Sequence, residues 1–355
     1  MTVNKRLNQI VWQRYKWFVA LFVALIVGVS MMNTINTVNG VKEAEKTTTY
    51  QQFVMDTKND AKERKVKANL SQAEYKKYQA GMGYNDSYSM IDNSWSGILV
   101  IFMIGMGLFT SLYDLKTKFN EFIFSSGFSR RHYFWKRASL ILWTTLITIL
   151  ISMVADVVIA KLLISSNYFH ISESFLAWRL AYCLAGYISV YAVGTIVGIL
   201  VNGILAATIT AIGFFGTYML VITNFVNNGS TDPLGYSVQV DTNGIEFGVR
   251  TQIVIFLILA ALMMWEASYF FNNLSLEQDG PYLQFNYLKK PLLIFVTLYI
   301  GFIIGGQGRG YTKLSEMIKV GVITGIITYI VAYIVIYRPQ NIWQKIQNKF
   351  SKNKY

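Results

Sequence analysis

The chain has 355 residues, of which 53% are hydrophobic and only 14% charged, and its formal net charge is +13. Several apolar runs reach roughly 20 residues, enough to cross about 30 Å of hydrocarbon, which excludes a water-soluble domain and predicts a polytopic membrane protein. The cations sit beside those runs, which suits topology and contact with membrane lipids rather than nucleic acid, and the single cysteine, Cys183, excludes an internal disulfide and a cysteine-built zinc cluster.

Residues 1–16 carry an apolar stripe, Val3, Leu7, Ile10 and Val11, with Lys5, Arg6, Arg14 and Lys16 elsewhere. That pattern predicts an amphipathic helix in the inner membrane interface. The first span is expected at 17–33; no small-residue cleavage pattern follows it, so it reads as retained rather than as a signal peptide. Residues 34–95 form the only sizeable polar segment, with nearly balanced charge and a capping box at Ser71-x-x-Glu74. Roughly 60 residues make a helical appendage or lid, not a catalytic domain with a large core. The second span is expected at 96–113 and the third at 138–162. The fourth and fifth, 180–201 and 204–226, are parted only by Asn202-Gly203, a tight-turn dipeptide. A polar loop at 227–249 precedes the sixth span, 250–271. Polar residues 272–290 lead to the seventh and eighth spans, 291–307 and 317–337, with a glycine-rich turn or re-entrant bend at Gly305–Gly310. The tail, 338–355, is basic and carries an interfacial stripe of Ile342, Trp343, Ile346 and Phe350.

Eight spans put both termini on one side. Lys and Arg number four in 1–16, six in 114–137, two in 272–290 and five in 338–355. The short loops opposite have only Arg179, Arg250, Arg309 and Lys313. The positive-inside rule therefore assigns both termini and 114–137 to the cytoplasm and makes 34–95 extracytoplasmic.

The stretch 114–137 holds Lys116, Lys118, Arg130, Arg131, Lys136 and Arg137 between two apolar spans. Leu115, Phe119, Phe122 and Ile123 recur at helical spacing and predict one face of a short helix over 115–126. Ser125, Ser126 and Gly127 stop that helix, and Ser129 can cap the next. An amphipathic helix between basic flanks suits a surface on which a cytoplasmic partner pushes.

Two acids fall inside spans, Asp156 in the third and Glu266 in the sixth. A carboxyl group at that depth usually faces a bundle interior or water-filled cavity. Both are candidates for a translocation path that favours cationic cargo, or for a proton site; the alternative is a structural hydrogen bond or a reach into interfacial water. Gly194-x-x-x-Gly198, Gly301-x-x-x-Gly305 and Gly321-x-x-x-Gly325 permit close helix packing and say nothing of cargo. The chain has no Walker-type phosphate loop, no G-x-S-x-G, no H-E-x-x-H and no zinc spacing, and His132 and His170 lie in different loops. No convergent set of catalytic groups emerges, so the expectation is a non-enzymatic membrane subunit.

The segment Glu121 to Lys136, EFIFSSGFSRRHYFWK, resembles the loop between the second and third spans of ABC-2-type ABC transporter permeases. There an acid opens a short coupling helix, followed by a small-residue break, a Ser-Arg pair and a basic entry to the third span. Leu274 to Pro291, LSLEQDGPYLQFNYLKKP, is similar to a segment of the longer permeases of this class, where an S-E-x-x-G motif and a basic-Pro entry lead to two extra spans. Here Leu276 stands between Ser275 and Glu277.

The resemblance implies an all-α bundle of a six-helix core plus two spans in the plasma membrane; sparse cysteine and abundant Lys, Asn, Ile and Tyr are compatible with an AT-rich bacterial genome. It implies that Glu121, Phe122, Ile123, Ser125, Gly127, Ser129 and Arg130 couple to an ABC ATPase subunit, itself a dimer. ATP and Mg would bind that partner, so this chain would hold no cofactor, and a second permease copy or a homologue would complete the membrane part. Members of the class export peptides, lipids, drugs or polysaccharides, so cargo does not follow from fold. The expected function is export of an amphipathic compound. One alternative is a sensing or immunity protein that binds an antimicrobial peptide through 34–95 and acts with an ABC ATPase. Another is an ion-coupled carrier using Asp156 or Glu266, for which no inverted repeat is evident.

Overall fold

Apolar segments long enough to enter hydrocarbon must satisfy their own backbone groups, and the helix does so within one segment. The chain follows that rule. The structure, a computed structural model, describes residues 3–47, 50–63, 97–164, 173–226, 247–274, 283–306 and 314–337, together with residues 72 and 75. The helices are α1 (Val3–Thr47), α2 (Tyr50–Glu63), α3 (Gly97–Lys116), α4 (Phe119–Ser125), α5 (Arg130–Leu163), α6 (Glu173–Leu200), α7 (Ile204–Val226), α8 (Phe247–Asn272), α9 (Lys289–Gly306) and α10 (Leu314–Tyr337). One 3₁₀ turn, Asn286–Leu288, leads into α9. Among the described residues there is no β-strand, only an isolated bridge between Val201 and Leu283. Among the described residues six helices are long and apolar enough to cross a membrane, namely α1, α3, α5, α6, α8 and α10.

The Ser71-x-x-Glu74 capping box, nearly all of the 227–249 loop, Ser275–Gly280, Gly308–Gly310 and the 338–355 stripe lie outside the described residues.

The chain divides into two compact units, and α3, α5, α6 and α8 each contribute residues to both. The first comprises Met1–Met103, Trp135–Ser189 and Ser237–Leu259. Its longest element is α1, which runs through residues 16–17 and 33–34 without a break. The reason is a continuous seam at three- and four-residue spacing. Leu7, Val11, Tyr15, Val19, Phe22 and Ile26 are buried, and Ser30, Thr34, Thr37, Val38 and Val41 continue the same stripe. The opposite face is open, with Trp17 75% exposed. The seam turns polar at Ser30, where it meets Asp156 of α5. Phe22 stacks edge-on against Phe102 of α3, and Tyr182 of α6 packs on Phe256 of α8, each at 5.7 Å between ring centres. In the 34–95 segment, Phe53 of α2 is buried between Tyr50 and Tyr75, 5.9 and 5.3 Å away.

The second unit comprises Ile104–Phe134, Val190–Tyr236 and Ala260–Tyr355. Here α3 and α6 approach backbone to backbone. A methyl group on Gly107 would lie 2.5 Å from the Tyr191 carbonyl oxygen, and one on Gly194 would run into the Ile104 carbonyl. Gly198 is nearly as tight, 3.0 Å from Ser111 Cβ. The Gly194-x-x-x-Gly198 pair is therefore a helix-packing device. The α9–α10 pair uses the same device, with a methyl on Gly301 placed 3.0 Å from the Gly321 carbonyl. Between α6 and α7 the chain turns at Asn202-Gly203, with Gly203 at φ +95°, a conformation glycine adopts without penalty.

Candidate functional site

The loop from Lys116 to Arg131 is built around one strained residue. Lys118 has φ 54° and ψ 20°, the left-handed conformation. It closes α3, its N–H donating to the Leu115 carbonyl at 3.2 Å, and opens α4, its carbonyl accepting from Glu121 N at 3.1 Å. A non-glycine residue there costs about 1–2 kcal/mol. The break also corrects the expected helix. Leu115 belongs to α3, not to α4, so the face expected from 115, 119, 122 and 123 does not form. Instead Asn120 and Ile123 are buried, Phe119 and Phe124 are half-buried, and Phe122 is 57% exposed.

An aromatic cluster anchors α4. The Phe124 ring packs edge-on against Phe271 at 5.9 Å and Tyr133 at 6.4 Å, Phe119 lies 6.2 Å from Tyr133, and Phe134 lies 5.6 Å from Phe271. Tyr133 and Phe134 come from the start of α5 and Phe271 from the end of α8, so two elements hold the short helix. Beneath it Tyr133 donates its hydroxyl proton to Asp114 Oδ2 at 2.5 Å, both side chains fully buried. The stop signal is used as read. Ser125 and Ser126 donate their hydroxyls to the Phe122 carbonyl at 2.9 and 2.8 Å, and Gly127 follows at φ +80°. Ser129 occupies the N-cap position of α5, its carbonyl accepting from Tyr133 N at 3.0 Å.

Arg130 is tied inward. Its Nη1 donates to the Leu274 carbonyl at 2.7 Å and the Asn272 carbonyl at 3.3 Å, and its guanidinium lies 4.8 Å from the centre of the Phe124 ring. Those carbonyls are at the C-terminal end of α8, where backbone acceptors lack helical partners and the helix dipole is negative. Of the seven residues singled out in this loop, Glu121, Phe122, Ser125, Gly127 and Ser129 are exposed, whereas Ile123 is fully buried and Arg130 is half-buried. Two residues not singled out are equally built in. Asp114 is buried with its Tyr133 bond, and Asn120 is 1% exposed with neither amide atom hydrogen-bonded among the described residues.

Asp156 lies on α5 in the first unit. Ser30 donates its hydroxyl to Oδ2 and Thr34 to Oδ1, each at 2.5 Å. The two donors sit one turn apart on the α1 seam, which is why a single carboxylate meets both. The same carboxylate lines a small, open-mouthed cavity with Ile26, Ser30, Asn33, Leu99, Ile149, Ser152 and Met153, about 10 Å³ in volume and so of the size of one water molecule. Glu266 belongs to the second unit and has different surroundings. It is exposed on α8 beside Trp265, 63% exposed, and one turn from Leu262 and Tyr269, while Met264, Ala267 and Ser268 form the buried face. Among the described residues no group of three or more His, Cys, Asp or Glu side chains is placed to hold a metal ion.

Compared with family models, characterised proteins and solved structures, the chain has no match.

Proposed function

We propose that the chain is the membrane-spanning permease subunit of an ATP-driven exporter of the ABC-2 type, carrying an amphipathic compound across the plasma membrane of a bacterium. One observation carries the reading. Helix α4 is fixed on one side by buried Ile123 and the aromatic cluster, and presents Glu121, Phe122 and Ser125 on the other. An exposed phenylalanine beside an acid on a rigidly held short helix is suited to a partner's groove. The pinned side is suited to passing motion to α5 and α8. Glu121, Phe122, Ser125, Gly127 and Ser129 are the contact residues in this reading; Ile123 and Arg130 hold the helix in position. ATP and Mg bind the partner ATPase dimer, and a second permease copy or homologue completes the pathway.

The accompanying topology has eight spans, with 1–16, 114–137 and 338–355 cytoplasmic and 34–95 outside. It counts α7 and α9 as spans. Helices of 23 and 18 residues extend about 35 and 27 Å, close to the hydrocarbon thickness. Co-purification of the full chain with an ABC ATPase subunit, and that subunit's ATP turnover, tests the reading.

A second reading is favoured by α1. Its 45 residues measure about 68 Å, over twice the hydrocarbon thickness, so it enters the 34–95 segment, where Tyr50, Phe53 and Tyr75 cluster. That segment would capture or sense an antimicrobial peptide outside. Deletion of 45–90 would then abolish a peptide-triggered response and leave basal export intact.

A further inference from the structure

The Asp156 cavity has a chemistry of its own. Asp156 accepts two hydroxyl hydrogen bonds, yet a carboxylate offers about four acceptor positions. Both partners are neutral, and among the described residues no basic side chain interacts with it. A carboxylate within a membrane-spanning helix, held by neutral donors alone, keeps an uncompensated charge, which is costly. The walls supply what a cation needs. Ser30, Asn33 and Ser152, whose side chains carry oxygen, line the cavity with Asp156, while Leu99 and Met153 are among its apolar lining. A small hard cation or the head of an ammonium group takes oxygen ligands, and the open mouth of the cavity leaves an alkyl stem outside it. The Thr34 hydroxyl adds adaptability. It has one proton and two acceptors in reach, Asp156 Oδ1 at 2.5 Å and the Ser30 carbonyl at 3.1 Å. It can turn to the carbonyl and free a carboxylate oxygen for an incoming charge at little cost.

We propose that this cavity binds one positive charge, a primary ammonium group or a monovalent metal ion, with Asp156 as its counter-ion and Ser30, Asn33 and Ser152 as oxygen ligands. If the charge belongs to cargo, the site makes the exported compound a cationic amphiphile. That extension rests on the transport reading, whereas the cation site rests on the cavity's geometry.

The test is the melting temperature of the purified full chain in neutral detergent at constant ionic strength. Sodium, potassium and n-hexylammonium chlorides are titrated against tetraethylammonium chloride, a cation too bulky to reach the carboxylate. The wild-type chain is expected to be stabilised by at least one small cation over tetraethylammonium. Asp156→Asn is expected to lose that response, and Ser152→Ala to need at least tenfold more cation for the same shift. A response to hexylammonium alone assigns the site to an organic ammonium, a response to sodium or potassium alone assigns it to an inorganic ion, and a response to both assigns it to the shared charge. The proposal is overturned if the wild-type chain does not distinguish the small cations from tetraethylammonium, or if Asp156→Asn responds as the wild type does. Should Asp156→Asn fail to fold, an unchanged response in Ser152→Ala overturns it alone. No ATPase is present, so a negative result removes the cation site and leaves the transport reading standing, and a failed ATPase partnership leaves the cation site.

Discussion

Arg130, at the first turn of α5, donates a 2.7 Å hydrogen bond to the carbonyl oxygen of Leu274, two residues beyond the end of α8. With the second bond to Asn272 and the Phe124 ring under the guanidinium, one side chain joins α4, α5 and the end of α8. Arg130→Ala is expected to lower stability by about 1–3 kcal/mol, because hydrogen bonds to a charged donor are lost and the carbonyls of α8 are left unpaired. Arg130→Lys is expected to recover only part of that, since an ammonium cannot reproduce the fork or stack on the ring. Thermal unfolding in detergent checks both, and an alanine variant with an unaltered melting temperature would remove the bracing role.

Lys118 holds the left-handed backbone that divides α3 from α4. Lys118→Gly relieves that conformation and is expected to be neutral or stabilising by up to about 1 kcal/mol. Lys118→Val, β-branched at the same φ, is expected to destabilise by about 1 kcal/mol or more. The order Gly at or above Lys, and Lys above Val, in melting temperature is the outcome to look for.

Gly107 and Gly105 lie on the same helix two residues apart and differ sharply in surroundings. A methyl at Gly107 meets the Tyr191 carbonyl and Thr195 N, whereas one at Gly105 meets nothing within 4 Å. Gly107→Ala is expected to force α3 and α6 apart and cost about 1–3 kcal/mol. Gly105→Ala is expected to be neutral or slightly stabilising, as alanine is the better helix former. The pair of melting curves distinguishes a local clash from a general intolerance of alanine.

Asn120 buries an amide whose atoms make no hydrogen bond among the described residues. Such burial costs about 1–3 kcal/mol. Asn120→Leu, similar in volume, is expected to raise the melting temperature, and Asn120→Asp to lower it by burying a charge. A destabilised leucine variant would show that the amide has a stabilising role.

Much of this organisation was legible in the residues. Apolar run length identified helices, because hydrocarbon leaves a backbone few alternatives. Ser125-Ser126-Gly127 marked the end of α4, and Asn202-Gly203 the turn before α7, because both rest on local chemistry. The break at Lys118 was not legible: lysine carries no turn signal, and the break shifted the helical phase so that Phe122 was expected on the same face as Ile123. The inward role of Arg130 depends on acceptors 142 and 144 residues away, and the hydroxyl donors to Asp156 lie 126 and 122 residues away. No local pattern encodes such pairings. Asp156 itself was legible as an acid in a span; that Ser30 and Thr34 meet it depends on the packing of α1 against α5.

In the proposed function, the exposed side of α4 is where an ATPase docks. The direct measurement is co-purification of the ATPase, with its ATP turnover, from a strain carrying Glu121→Lys together with Phe122→Ala. Both side chains are exposed, so the membrane chain is expected to fold with stability within about 0.5 kcal/mol of the wild type. The double variant is expected to reach the membrane at wild-type levels, melt normally and lose the ATPase. Retention of the ATPase and of full ATP turnover by a normally folded double variant would contradict it.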